Sequence, residues 1–417
     1  MIDVIVSKVA RREFNRALKF EDGNIEHFPR AAAQGQCERL LYLHIPFCEQ
    51  LCPYCSFHRV VFEEDLCRAY FAALRKEILL YKRAGWSFSG IYCGGGTPTV
   101  LLDELCKTID LARAEFPITS VSVETNPNHL TEANAQKLLA SGVGRLSVGV
   151  QSFDEKLLKQ MQRYTKYGSG EEIASRLHLV NGLFDTVNVD MIFNFPTQSE
   201  ATLIQDVKTL LDIGVSQITY YPLMVSDFAR AAMLEKLGGT VDYRRERKFY
   251  KLISKHLEKT YSYSSAWCFS RNTAAAAAID EYIVDFDEYA GLGSGAIGFL
   301  ASACYANTFD IKEYIASVNT NKLPLLAVRC FTQAEQARYD FMMKLFSTRL
   351  VIKSLEKKHS RSLWRYIWKD LLAFRLAGAI TIGADEIRLT PTGRYLWVAL
   401  MREFFIAVNN FRDYCRK

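Results

Sequence analysis

From residue 40 to about residue 222, short apolar or β-branched runs alternate with longer amphipathic stretches. The runs 40–45, 90–93, 120–124, 145–149, 187–191 and 217–221 have the length and composition of strands. Between them, 66–81, 101–115, 131–141, 154–161, 171–181 and 200–213 carry helical spacing, and Thr131 stands where an N-cap belongs. Alternation on this scale predicts parallel βαβ units and an α/β fold. Periodicity by itself leaves an open twisted sheet and a partial barrel equally available.

Beyond residue 228 the rhythm loosens. A charged helix is predicted over 242–260, followed by an aromatic segment holding Tyr261, Tyr263, Trp267 and Phe269. The alanine run 274–278 carries no functional signal. Glycines 291, 293, 295 and 298 permit close backbone approach to a ligand or a tight packing turn. From about residue 325 the pattern predicts helices over 333–350 and 362–376, a β pair over 379–382 and 386–390, and an aromatic helix through Phe411. Helices with a β wing resemble a winged-helix module. No Lys/Arg stripe sits where a recognition helix would be, so a substrate-covering or docking role is expected and no nucleic-acid partner. The expected plan is an N-terminal extension (1–37), a core (38–310) and a C-terminal module (325–417).

Composition narrows the class without naming a chemistry. The chain has 417 residues, 49% hydrophobic and 24% charged, with a formal net charge of +6, which is ordinary globular usage. No window reaches the roughly 18 consecutive apolar residues of a membrane span. The first residues lack a signal-peptide core and cleavage site, so cytoplasmic residence is expected. The chemistry lies in three of the eleven cysteines.

Cys48, Cys52 and Cys55 follow the first predicted strand at spacings of four and three. Three thiolates so placed can grip three corners of a cubane iron–sulfur cluster, which is normally held by four. No fourth cysteine is near, so one iron stays open to another ligand. A structural zinc site wants four closed ligands, and His58 is the only candidate nearby. Disulfides need an oxidising compartment, for which the sequence gives no sign. Four further polar or Gly/Pro-containing loops follow predicted strand ends: 94–98, 124–127, 151–152 and 194–196. In parallel α/β architectures such loops build the site, so all five should converge.

Taken in order, these motifs resemble the radical S-adenosylmethionine (SAM) superfamily, and within it the oxygen-independent coproporphyrinogen III oxidases and HemW-type haem chaperones. The resemblance rests on Tyr42-Leu-His-Ile-Pro-Phe-Cys48, Cys52, Cys55, Gly94-Gly-Gly-Thr-Pro-Thr99, Glu124-Thr-Asn-Pro127, Ser147-Val-Gly-Val-Gln-Ser152, Asn188-Val-Asp-Met-Ile192, the glycines 291–298, and Tyr305-Ala-Asn307. It implies a (β/α)6 partial TIM-type barrel with a smaller C-terminal helical, winged-helix-like domain. It also implies a [4Fe-4S] cluster on Cys48, Cys52 and Cys55, whose open iron chelates SAM. A one-electron donor such as flavodoxin or ferredoxin would then allow release of a 5′-deoxyadenosyl radical. By the same resemblance Tyr42, Gly95, Gly96, Thr97, Glu124, Gln151, Arg163, Asp190, Met224 and Ile297 contact SAM, as one molecule or divided between two. The implied substrate is a small molecule, porphyrin or haem. True coproporphyrinogen oxidases carry a further cysteine two residues after the third ligand; here that position is Phe57. Three activities follow as expectations: hydrogen abstraction from a tetrapyrrole-like substrate, haem trafficking, and methyl transfer with two SAM molecules, including haem ring opening. His58, Tyr54 and the aromatic segment 261–269 are open to two readings, contact with a planar substrate or packing, of which packing is the more frequent role of aromatic residues.

Overall fold

The structure is a computed structural model that describes residues 2–17, 28–29, 31, 38–228, 230–272, 285–359 and 363–415. The alanine run 274–278 lies outside the described residues.

One mixed sheet of twelve strands organises the fold. In chain order they are β1 (Arg39–Ile45), β2 (Gly90–Gly95), β3 (Ser120–Thr125), β4 (Arg145–Gln151), β5 (Thr186–Phe193), β6 (Gln217–Pro222), β7 (Tyr261–Tyr263), β8 (Cys268–Arg271), β9 (Glu288–Leu292), β10 (Ile297–Leu300), β11 (Ala303–Asn307) and β12 (Leu325–Cys330). Across the sheet the order is β12-β11-β10-β9-β1-β2-β3-β4-β5-β6-β8-β7. Strands β1 to β6 are parallel neighbours, as the alternation predicts, and β9 lies parallel to β1 on the other side. Parallel strands need crossovers, and five of the predicted helices supply them: Glu64–Arg83, Leu102–Glu115, Glu132–Ala140, Gly170–Val180 and Glu200–Ile213. The strands are apolar because both faces are covered; every residue of β1 is buried. The Thr131 side chain accepts from the Asn134 amide, the cap expected there.

Two corrections concern the C-terminal third. The helix expected over 333–350 ends at Phe346, and Thr348 turns the chain with φ +69°. Arg349–Val351 then pairs antiparallel with Glu386–Leu389, whose other neighbour is Ile380–Ile382, so the wing has three strands where two are expected. The aromatic segment 261–269 is packing: Tyr261–Tyr263 forms the edge strand β7, Cys268 and Phe269 open its neighbour β8, and Trp267 is fully buried against Phe346 and Phe405.

The long helix Pro391–Cys415 crosses the mouth of the sheet and carries the helix Ile2–Ala17 on it. Phe14 meets Phe404 edge-on at 5.4 Å, and Arg11 Nε donates to Glu403 at 2.6 Å. Among the described residues, no helix is long and apolar enough to cross a membrane.

The glycine motif at 291–298 owes its composition to packing. A Cβ on Gly291 would lie 2.3 Å from the Ile297 carbonyl oxygen, and one on Gly298 would lie 2.3 Å from the Tyr305 ring. Glu77 locks this turn from behind, accepting from Gly293 N (2.9 Å), Tyr314 Oη (2.6 Å) and Asn307 Nδ2 (3.0 Å). Burial pushes the Glu77 carboxyl up to about 7, outweighing those three donors. Between the ordinary carboxylate value and about 7, the unfolded chain has released a proton that the folded chain keeps. Stability therefore falls as pH rises through that window, by on the order of 3 kcal/mol once the window is passed. In Glu77→Gln this component of the slope should vanish, as urea midpoints at pH 5 and pH 8 would show; equal slopes in both proteins would refute it.

Candidate functional site: a thiol-lined cavity at the strand ends

A cavity of about 1070 Å³ opens at the C-terminal ends of the parallel strands. All the candidate cluster and SAM residues line it: Tyr42, Cys48, Cys52, Cys55, Gly95, Gly96, Thr97, Glu124, Gln151, Arg163, Asp190, Met224 and Ile297. Four of the five predicted loops reach it; the loop 194–196 does not, and is held instead by Arg245, which donates to the Asn194 side chain and to the Phe195 and Pro196 carbonyls.

The cysteine loop leaves β1 at Ile45 and is framed at both ends. Phe47–Cys48 pairs parallel with Val60–Val61, and the Gly96 and Thr97 amides donate to the carbonyls of Ile45 and Phe47 at 2.8 Å. Gly96 has no room for a side chain: a Cβ there would lie 2.7 Å from the Phe47 oxygen and 3.0 Å from Cys48 Sγ. Gly95 takes φ +122° and packs on the His44 ring, so the glycines serve the loop's close approach. Burial pushes the Cys48 thiol up to about 11, although Thr97 Oγ1 lies 3.6 Å from its sulfur. Glu49 ties the loop down through Lys166 (2.9 Å) and Asn128 (3.0 Å).

Each polar candidate is held in a set orientation. Glu124 accepts from Tyr92 Oη (2.9 Å) and the Gly95 amide (3.1 Å). Asp190 accepts from Ser147 Oγ (2.9 Å) and Asn188 Nδ2 (2.8 Å). Gln151 sits at a bulge in β4 with φ +76°, a conformation uncommon outside glycine that turns its side chain toward the cavity. Arg163 donates to Gly149 O and to Tyr54 Oη (3.1 Å), and it lies over the Tyr167 ring. Tyr42 Oη is 2.9 Å from His44 Nδ1. The His44 Nε2 faces the His58 carbonyl at 3.0 Å and must be the protonated nitrogen, so the Tyr42 hydroxyl donates to Nδ1. His58 is corrected as a substrate contact: it is buried, stacks on His44 and bonds Ser294 Oγ at 3.2 Å, away from the cavity. Tyr54 does line the cavity.

The rest of the lining is aromatic and aliphatic. Phe404, Phe405 and Val408 come from the C-terminal helix, Met342 and Phe341 from Gln333–Phe346, and Val9 and Phe14 from the N-terminal helix. Phe57, 46% exposed, lies under the Arg412 guanidinium at 5.0 Å. Asn126 lines the site from within the 124–127 loop, while Arg59 and Tyr92 also line it and escape the sequence reading. A basic residue four places after Cys55 was the available signal for Arg59, since thiolates attract cations.

Residues 42–210 match the family model described as the radical SAM superfamily, so the chain carries a radical SAM domain. Its relatives include proteins named as haem chaperone HemW and as oxygen-independent coproporphyrinogen III oxidase. It is 26% identical over 373 residues to the haem chaperone HemW of Bacillus subtilis (strain 168), covering 85% of this chain and 96% of that one. It is 29% identical over 375 residues to anaerobilin synthase of Escherichia coli O157:H7, covering 86% and 82%. In fold it is similar to the solved coproporphyrinogen III oxidase HemN of Escherichia coli, with a TM-score of 0.73, 20% identity, and coverage of 93% of this chain and 97% of that one.

A radical SAM domain implies a [4Fe-4S] cluster and SAM, and the donor set fits them. Three thiols on one loop face a common cavity. Among the described residues, no three His, Cys, Asp or Glu side chains gather tightly enough for a single ion, whereas a cubane takes its thiolates at separate corners. Ser56 Oγ, Arg59 Nε and Nη1, and Arg163 Nε are buried beside this loop with no hydrogen-bond partner among the described residues. Orphaned polar groups of that kind point to a bound group that they would meet.

Proposed function

We propose that the protein is a radical SAM enzyme that cleaves SAM reductively and acts on a tetrapyrrole-like substrate in the manner of a coproporphyrinogen III oxidase. One observation carries this reading: the thiol loop, the polar strand-end loops and an aromatic-lined chamber form a single cavity of about 1070 Å³. Bound there, the cluster and SAM would supply one-electron cleavage and a hydrogen-abstracting oxidant.

The chain's own residues bind and orient. Cys48, Cys52 and Cys55 would hold the cluster. The Glu124 carboxylate, already fixed by Tyr92 and Gly95, presents acceptor lone pairs to ribose hydroxyls. Arg163 offers its charge to the SAM carboxylate. Because its proton is committed to His44, the Tyr42 oxygen acts toward the cavity as an acceptor. Gln151 and Asp190 supply further polar contacts, Gly96 and Thr97 give backbone approach, and Met224 and Ile297 give apolar ones. The C-terminal helix excludes water through Phe404, Phe405 and Val408.

Phe57 in place of a cysteine favours a second reading, in which the substrate is haem, either carried or opened by methyl transfer with a second SAM molecule. Product analysis after anaerobic reconstitution with SAM and dithionite separates these. The expected result is 5′-deoxyadenosine, with CO2 release and an absorbance change when coproporphyrinogen is added. S-Adenosylhomocysteine beside 5′-deoxyadenosine would select methyl transfer, and stable haem binding without turnover would select trafficking. Cluster-loaded protein that forms no 5′-deoxyadenosine with any tetrapyrrole would overturn the enzymatic reading.

A further inference from the structure

We propose that Arg59 is a positioning residue for the cluster's electron, a fixed positive charge that offsets the cluster's negative charge and raises its reduction potential. The proposal rests on the assignment of Cys48, Cys52 and Cys55 as the cluster's ligands.

The backbone places Arg59 beside all three thiols. It directly precedes Val60, whose amide donates to Pro46 O at 2.7 Å, in the short strand paired with Phe47–Cys48. Its side chain folds back across the loop, where Nη2 donates to Cys52 O at 2.6 Å and Cys55 O at 2.7 Å. One guanidinium nitrogen is thus spent bracing the loop. The other two, Nε and Nη1, are buried without a hydrogen-bond partner among the described residues, and the residue lines the cavity that holds the three sulfurs. A buried, permanently charged fork with two unused donors is costly unless something anionic meets it.

A [4Fe-4S] core with three thiolates carries one net negative charge when oxidised, and the incoming electron adds a second. A cation held nearby, away from bulk water, stabilises the reduced state more than the oxidised one. Charge and hydrogen bonds to sulfur are among the levers that set such potentials. Arg59 supplies the first through its guanidinium and, through Nε and Nη1, donors for the second.

The test uses the full-length protein reconstituted anaerobically with iron and sulfide, without SAM, as the parent, Arg59→Lys and Arg59→Gln. Iron and sulfide content is measured first, then the midpoint potential by titration with dithionite followed by electron paramagnetic resonance. Arg59→Gln should assemble the cluster and show a ratio of reduced to oxidised cluster about tenfold lower at fixed ambient potential. That is a shift of about 59 mV to more negative values for one electron. Arg59→Lys keeps the charge and should stay close to the parent. If Arg59→Gln assembles a cluster with the parent potential, or Arg59→Lys shifts as far as Arg59→Gln, the proposal fails. Should Arg59→Gln not assemble, assembly of Arg59→Lys at the parent potential supports the charge role. Failure of both would mean Arg59 only braces the loop, and would overturn the proposal. A parent protein that takes up no iron and sulfide sinks the ligand assignment itself.

Discussion

Replacing Cys52 by alanine is expected to abolish both the cluster's visible absorbance and all SAM cleavage. The loss should be complete because the three thiols leave no spare ligand. His58, the nearest other ligand type, is committed to Ser294 and stacked on His44, so it cannot move in without unpacking the glycine turn behind it. A Cβ on Gly295 would already lie 2.6 Å from the His58 ring, which shows how closely that side is filled. Cys52 also sits 3.8 Å from Arg163, so its sulfur links the loop to the residue proposed to bind the SAM carboxylate. The measurement is iron content and 5′-deoxyadenosine yield after identical anaerobic reconstitution. Normal SAM cleavage by the Cys52→Ala protein would falsify the ligand assignment.

The second large effect concerns stability. Arg402 is buried between Glu246 and Glu403, with side-chain exposures of 2%, 0% and 1%. It bonds both carboxylates, donates to Ser7 Oγ at 3.0 Å and lies over the Tyr243 ring at 4.1 Å. It thereby joins the N-terminal helix, the helix Tyr243–Leu257 and the C-terminal helix at one point. Arg402→Leu removes the cation that Glu246 faces in the interior, while Glu403 keeps Arg11. Breaking a buried pair in this way costs about 3–5 kcal/mol. Burial already raises the Glu246 carboxyl, and without Arg402 it would hold its proton to still higher pH than in the unfolded chain, so the deficit should shrink as pH is lowered. Urea unfolding of the parent and Arg402→Leu at pH 8 and pH 5 measures both. A midpoint shift worth less than about 1 kcal/mol at pH 8 would show that the pair is not a major support.

The fold was legible where its cause is local. Strand length, apolar runs and helical spacing each act within ten or fifteen residues, and β1 to β6 lie where the pattern places them, one to three residues longer. The C-terminal wing was less legible because Arg349–Val351 continues an apparently helical pattern, and the interruption comes from backbone geometry at Thr348. The site divides the same way. Cysteine spacing and glycine-rich strand ends are local signals, and the residues they single out share one cavity. Arg59, the Glu49–Lys166 tie and the bulge at Gln151 depend on which distant segments meet, and no window of sequence contains that information. His58 shows the opposite error. Its place beside the cysteines suggested a ligand or substrate contact, yet the chain turns its ring to the other side of the loop.

The sheet order has a consequence for how the protein is made. β1, which carries the thiol loop, lies between β2 and β9, and Arg39 pairs in register with Glu288. While a ribosome is still extending the chain, this strand has only one of its two neighbours, and the wall formed by the C-terminal helix does not yet exist. Pairings between such remote segments form late. The thiol loop is therefore framed on both sides only after residues 288–292 have been made and have paired with β1.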